Sequence, residues 1–510
     1  MRVFHFALTI LIICNVGACQ STGSTPVYNL TTKVSPEEAG TITPSNGTYD
    51  EGTEVEINAQ AENNWIFERW SGDLEISTNP GKLTFNTDKQ VTAVFKHKDY
   101  PLTINTEGEG TVTEEIISAS KTEDYKYGTN IRLTAEAADD WLFTHWEGDL
   151  SGEETSKDIL INGPKNVIAV FVPLVNTLWA TGYNFNGQLG DGTQDDRSVP
   201  EWSTFNVEKI TAGSWHGLFI KTDGTLYGIG YNHHGQLGDR STTDRYIPVE
   251  ITVDVKEVAG GEIHSMYVTN SGELYAMGDN SEGQLGDGTT TSRIEPAQVS
   301  TGIKSVAIGE WHSLFIKQDG TLWGTGRNLN NQVSSNPEEF ITTPVQIDSN
   351  VEQAAAGQRH TLYLKSGGTL WAVGSNASGQ LGDGTLTGHP TPVQIASNVK
   401  YVNSGRDHSL YITNDDELWG MGNNSSGQLG DGSTELRTNP ILIDSGVKRA
   451  VGGNRHTLFV KTNGQLWGMG ANIHGQLGDG TTDSHSTPVQ IDSNVLEIAA
   501  GIYFSYYIKE

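Results

Sequence analysis

From residue 174 onward, short apolar runs alternate with turns marked by Gly, Asp-Gly or Pro, and the pattern returns every 48 residues. A Leu followed by Trp or Tyr stands at Leu178, Leu226, Leu274, Leu322, Leu370, Leu418 and Leu466, and a Gly keeps the same step from Gly213 to Gly501. In one copy the runs are Val207 to Ala212, His216 to Lys221, Leu226 to Asn232 and Pro248 to Ile251, which gives about 12 residues per strand and turn. That density predicts a four-stranded propeller blade, although period alone also allows neighbouring propeller families. A unit this small cannot bury its apolar face until neighbours stack against it. Few windows carry apolar residues at i, i+3, i+4 and i+7, so helix is expected to be scarce and the chain all-β.

The array opens on half a copy, at Leu178-Trp179, and ends on the other half, Ile498 to Gly501 and Phe504 to Ile508. Joining the halves in one blade would satisfy two edge strands that otherwise invite aggregation. Ahead of the array, Trp65 to Leu74 is echoed by Trp141 to Leu150, displaced by 76 residues. Each echo ends in an alternating run, Gln90 to Phe95 and Asn166 to Phe171, the mark of a sheet with one wet face. Two small β modules are expected, at 28–98 and 99–172. Their Trp pairs are read as core, since two indoles in a domain of roughly 70 residues more often fill its interior than form a sugar platform.

Charge narrows the partners. The formal net charge is −30, spread over modules and array alike, and it repels phosphate backbones and anionic headgroups. Nucleic acid is therefore not an expected partner. At the N-terminus, Arg2 precedes an apolar run from Phe4 to Val16 that is too short to span a bilayer as a mature helix. It reads as an export signal over residues 1–18. Val16-Gly17-Ala18-Cys19 resembles a bacterial lipobox, which implies a lipidated Cys19 and a flexible linker over 19–27. The expected location is a bacterial membrane, at the outer membrane or cell surface, with contact through the lipid anchor only. Cys14 falls in the removed segment, so no intramolecular disulfide is available.

Leu-Trp-x-x-Gly-x-Asn-x-x-Gly-Gln-Leu-Gly-Asp-Gly, preceded by Gly-x-x-His-Ser/Thr-Leu, resembles the regulator-of-chromosome-condensation repeat family over residues 173–510. The resemblance implies a seven-bladed β-propeller. The two modules resemble the divergent internalin-type bacterial repeat, a small β unit found in tandem on cell-surface proteins. Two departures stand out. The fourth copy carries Asn331-Gln332-Val333-Ser334-Ser335-Asn336 where the others have Gly-Gln-Leu-Gly-Asp-Gly, and its loop is expected to take a different path. The seventh His position is Phe504.

Repeated residues are read as scaffold. His216, His264, His312, His360, His408 and His456 lie in different blades, whereas a transition metal needs three or four ligands around one point. Each is expected to hydrogen-bond the backbone of a neighbouring blade. Asp191, Asp239, Asp287, Asp383, Asp431 and Asp479 are expected in Asx turns rather than around calcium. No metal, cofactor or catalytic residue is assigned, and a non-enzyme is expected because the ring repeats like residues instead of converging unlike ones.

Variation points elsewhere. The two residues between the repeated Gly and His differ in every copy, and in a meander their loop shares a face with the Asn-x-x-Gly loop. That face is expected to bind through Trp215, Trp311, Arg359, Arg406, Asp407, Arg455 and Tyr503, helped by Tyr183, Phe185, His233, His234 and His474. The expected function is a lipid-anchored surface protein, monomeric, that recognises a protein or glycan. The alternative is a hydrolase inhibitor of the β-lactamase-inhibitor kind. Guanine-nucleotide exchange, which the family's eukaryotic namesake performs, fits an exported acidic chain poorly, and polysaccharide cleavage is the remaining rival.

Overall fold

A computed structural model describes residues 23–118 and 124–510. The expected export signal, Cys19 and the start of the expected linker lie outside the described residues. The chain divides into two compact units at Pro173/Leu174.

The N-terminal unit holds both modules. In the first, Val27–Ser35 pairs in parallel with Lys89–His97, and Gly47–Asp50 and Trp65–Gly72 complete a mixed sheet opposite a smaller one of Gly40–Thr43, Glu54–Ala61 and Gly81–Thr84. The second module repeats the parallel pairing between Leu102–Glu107 and Lys165–Pro173. Both indoles of each pair were expected in the core; Trp70 and Trp146 are buried at the centre of the two cores, while Trp65 and Trp141 are half-buried and pack against them. The repeated Gly-Asp that follows each Trp has a local cause. Gly72 takes φ +97°, where an added Cβ would collide with the Gln90 carbonyl, and Asp73 Oδ2 then accepts the Gln90 N–H at 2.6 Å. Asp149 does the same for Asn166 at 2.8 Å.

The C-terminal unit is seven four-stranded antiparallel sheets. Blade 2 shows the plan: Val207–Ala212 innermost, then His216–Lys221, Leu226–Gly230 and Arg245–Thr252 outermost. Blades 3 to 7 follow in chain order. Blade 1 is composite, with Thr177–Gly182 and Arg197–Thr204 from the start of the array and Val495–Ala500 and Phe504–Lys509 from its end, Leu178 facing Ile508. The innermost strands of all seven blades line one axial channel, a cavity of about 330 Å³.

Neighbouring blades are tied by the repeated histidines, though not through backbone as the sequence reading had it. His216 Nε2 lies 2.8 Å from Ser265 Oγ of the next blade, and the pairing recurs at His264–Ser313, His312–Thr361, His360–Ser409, His408–Thr457 and His456–Ser505, within 2.8–3.1 Å. In four of these pairs the hydroxyl is seen donating onward to a Gln carbonyl, as Ser313 Oγ does to Gln284 O at 2.8 Å. A hydroxyl has one proton to give, so there the imidazole must donate from Nε2. Burial lowers these histidines, five to about 3 and His408 to about 4, and keeps them neutral.

The seventh junction is built differently. Phe504 replaces the histidine, Gly217 replaces the Ser or Thr that would receive it, and Tyr506 stands where the other blades have Leu or Met. Tyr506 fills the space beside Gly217, and its hydroxyl donates to the Gln188 carbonyl, the role the missing Ser or Thr would have played.

Candidate functional site

A strand that exits at Gly213 and returns at His216 leaves two residues to turn in, and successive residues point opposite ways. The first of each pair reaches the axis. Ser214, Glu262, Glu310, Gln358, Arg406, Asn454 and Ile502 line the channel, whereas none of their C-terminal neighbours does. The second residue of the pair, as in Trp215, Trp311, Arg359, Asp407, Arg455 and Tyr503, therefore sits outside the channel lining, on the rim. Backbone bonds join neighbouring loops at five of the seven junctions, as where Ser214 N donates to Gly261 O at 2.9 Å and Arg406 N to Gly453 O at 3.1 Å. This divides the residues singled out in the sequence: six belong to the rim, and Arg406 belongs to the channel mouth.

At the mouth, Arg406 Nε lies 2.9 Å from Glu310 Oε1, and Gln358 Nε2 donates to Glu310 Oε2 at 2.7 Å. Burial pushes the Glu310 carboxyl up despite Arg406. Glu262 is pushed up to about 7 by burial and by the Glu310 charge, against the pull of Arg406 and Arg327. Arg406, expected with the other partner-binding residues of this face, thus lies at the channel mouth and pairs with Glu310. Glu262, Glu310 and Gln358 were missed as a group; the signal was their shared slot with Arg406, directly after the repeated Gly.

The rim has two unlike arcs. Over blades 7, 1 and 2, Tyr183, Trp215, Tyr503 and His474 form one cluster. Trp215 meets Tyr503 with centroids 5.8 Å apart at 61°, and Tyr183 meets Trp215 at 5.9 Å and 70°. Phe185, 63% exposed, stacks on Tyr183, and Ile473, 64% exposed, precedes His474. His474 Nδ1 is fixed 3.0 Å from Asp196 Oδ2. His233 and His234 lie one blade further on, beside Tyr231. Trp311, on blade 4, is outside this cluster. Over blades 5 to 7 the rim is cationic. Arg359 and Arg455 are exposed and flank half-buried Asp407, whose carboxyl is raised by burial although Arg406, Arg359 and Arg455 pull it back.

The repeated loop beside the rim is self-contained. Asn184 Nδ2 donates to Asp191 Oδ1 at 3.0 Å, Thr193 N donates to the same oxygen at 2.9 Å, and Arg197 Nε holds Oδ2 at 3.0 Å. Burial alone would raise Asp191, but the bonds from Thr193, Arg197 and Asn184 outweigh it and hold the carboxyl below its usual range. In blade 4 the expected detour is partial. Asn331 adopts φ +59° in place of a Gly, Asn328 still accepts from Val333 N at 3.0 Å, and the sequence departs from the common pattern beyond it at Ser334 and Ser335. Among the described residues, no group of three or more His, Cys, Asp or Glu is placed to hold a metal ion.

Comparison with known proteins follows the same division. The Regulator of chromosome condensation (RCC1) repeat matches residues 176–220, 223–268 and 271–316, with a second model of that repeat at 207–236 and 255–284. An RCC1-like domain matches 297–510, and the Divergent InlB B-repeat domain matches 30–99 and 100–174. Yeast RCC1 (Prp20) bound to Kap60 is similar with TM-score 0.61 and 20% identity, over 66% of this chain and 89% of that one. Prp20p from Saccharomyces cerevisiae gives 0.59 and 21%, over 66% and 92%; human WBSCR16 gives 0.59 and 20%, over 66% and 99%. At such identity the likeness is one of fold. No curated protein matches the chain in sequence.

Proposed function

The C-terminal unit belongs to the regulator of chromosome condensation (RCC1) repeat family and follows two divergent InlB B-repeat domains, and from that premise we propose a lipid-anchored bacterial surface protein whose propeller rim holds a protein or glycan partner. The two modules serve as a stalk, and Cys19 carries the anchor. The observation that supports this reading best is the rim itself: aromatic rings and free guanidinium groups, the types that dominate binding hot spots, on loops of a rigid ring. Solved relatives are described with protein partners, Gsp1p and histones for Prp20p and Kap60 for yeast RCC1, in keeping with recognition. The protein acts without turnover; Glu310, the most enclosed acid of the mouth, is already committed to Arg406 and Gln358. The aromatic arc also suits a hydrolase inhibitor, which steady-state inhibition assays would reveal.

The test is capture by the whole chain from host and bacterial extracts, set beside Trp215→Ala/Tyr503→Ala and Arg359→Ala/Arg455→Ala. Loss of a discrete captured species in either variant supports the rim; equal capture by all three discards it. For the anchor, metabolic labelling with a fatty acid is expected in the wild type and absent in Cys19→Ala.

A further inference from the structure

Resting on that reading, we propose that the partner is a protein segment carrying a carboxylate beside an apolar side chain. The apolar group seats on the ring cluster of Tyr183, Trp215 and Tyr503, and the carboxylate pairs with Arg455 or Arg359.

Ring geometry decides between protein and glycan. A sugar stacks on a flat, open aromatic face. Here Tyr183 meets Trp215, Tyr503 and His474 edge to face, at interplanar angles of 70°, 70° and 74°, and Trp215 meets Tyr503 at 61°. Tyr183, Trp215 and Tyr503 thus set edges against one another's faces, Phe185 at 63% exposure stacks on Tyr183 as one small open ring, and Ile473 at 64% exposure adds an aliphatic border, so the surface is apolar and offers little flat aromatic platform. Such relief takes Leu, Phe or Met side chains better than a pyranose ring.

Charge decides the second element. Arg406 is committed to Glu310, while Arg359 and Arg455 remain exposed, Arg359 within reach of the Glu310 and Asp407 charges and Arg455 of the Asp407 charge. Arg455 occupies in blade 7 the rim slot that Tyr503 fills in blade 1 and Trp215 in blade 2, so cation and rings occupy consecutive loops. A planar guanidinium suits a carboxylate through two parallel hydrogen bonds. The net charge of −30 does not forbid an acidic partner, because fields beyond about 8 Å are screened at physiological salt while a contact pair is not.

Phage-displayed random peptides would be panned against the whole chain, with a glycan array alongside. Selected peptides should pair Asp or Glu with a neighbouring Leu, Phe or Trp, and should bind about tenfold more weakly to Arg359→Glu/Arg455→Glu and to Phe185→Ala/Trp215→Ala. Phe185→Ala alone, at an exposed position, separates contact loss from loop damage and should still weaken binding. Peptides lost in the aromatic variants but basic, neutral or indifferent to the charge reversal would overturn this inference and leave rim recognition standing. Selection of peptides indifferent to both variants, of uronate-bearing glycans instead of peptides, or of nothing at all would overturn it as well, the first and last of these taking rim recognition with them.

Discussion

At the scale of single residues, the junction of blades 1 and 2 shows three substitutions that make sense only together. Phe504 needs no hydroxyl opposite it, Gly217 makes room for a phenol, and Tyr506 supplies the hydroxyl that Gly217 lacks. Gly217→Ser alone should therefore destabilise the propeller by about 2–4 kcal/mol, since its side chain would drive into a close-packed ring. Phe504→His alone should cost about 1–3 kcal/mol by burying an imidazole with no acceptor for its proton. The triple change Gly217→Ser/Phe504→His/Tyr506→Leu restores the pattern of the other six junctions and should recover most of the loss in urea unfolding; additive penalties would refute the coupling. The departure of Phe504 was visible in sequence, but its compensation was not, because the three positions lie on two blades and only packing brings them together. Likewise each His-Ser or His-Thr dipeptide was legible, yet the hydroxyl each histidine uses belongs to the next copy, 49 residues on.

At the scale of the element, the loop between the two outer strands depends on one carboxylate in six of the seven blades. Asp239 takes Asn232 Nδ2 at 2.9 Å, Ser241 N at 3.0 Å and Arg245 Nε at 2.6 Å. Blade 4 lacks this arrangement and lacks both partners at once, with Ser335 in the Asp position and buried Ile341 in the Arg position. Asp239→Asn should thus strand a half-buried guanidinium at a cost of about 2–3 kcal/mol, read as faster amide exchange through the loop. Asp239→Ser/Arg245→Ile, which copies blade 4, should lose less than the single change. Such loops, like the blades, were readable because their residues are close in sequence and recur. What periodicity could not assign was direction, that is, which of two adjacent loop residues turns to the axis. Arg406 and Trp215 looked alike as variable positions, and the backbone path separates them. The parallel pairing inside each N-terminal module was equally hidden, since Leu30 and its partner Lys89 are joined by no turn that local residues announce.

At the scale of the whole molecule, the six buried histidines link ring stability to acidity. They stay neutral in the fold down to about 3 or 4, whereas an unfolded chain protonates them near 6.5. Their contribution is complete above pH 6.5 and is lost as pH falls, by about 1.4 kcal/mol per unit for each histidine until the folded-state value is reached. The urea midpoint of the propeller should drop steeply between pH 6.5 and 4, and a flat profile there would show that the histidines are not enclosed as described. The composite blade carries a different implication. Its outer strands, Thr177–Gly182 and Arg197–Thr204, are synthesised before every other blade, yet their inner partners, Val495–Ala500 and Phe504–Lys509, come after all of them. A nascent polypeptide must therefore hold that first hairpin unmated while six sheets assemble, and only the arrival of Tyr506 and its neighbours fastens the clasp. Premature termination anywhere in the array should yield an unlocked, protease-sensitive product rather than a smaller working ring.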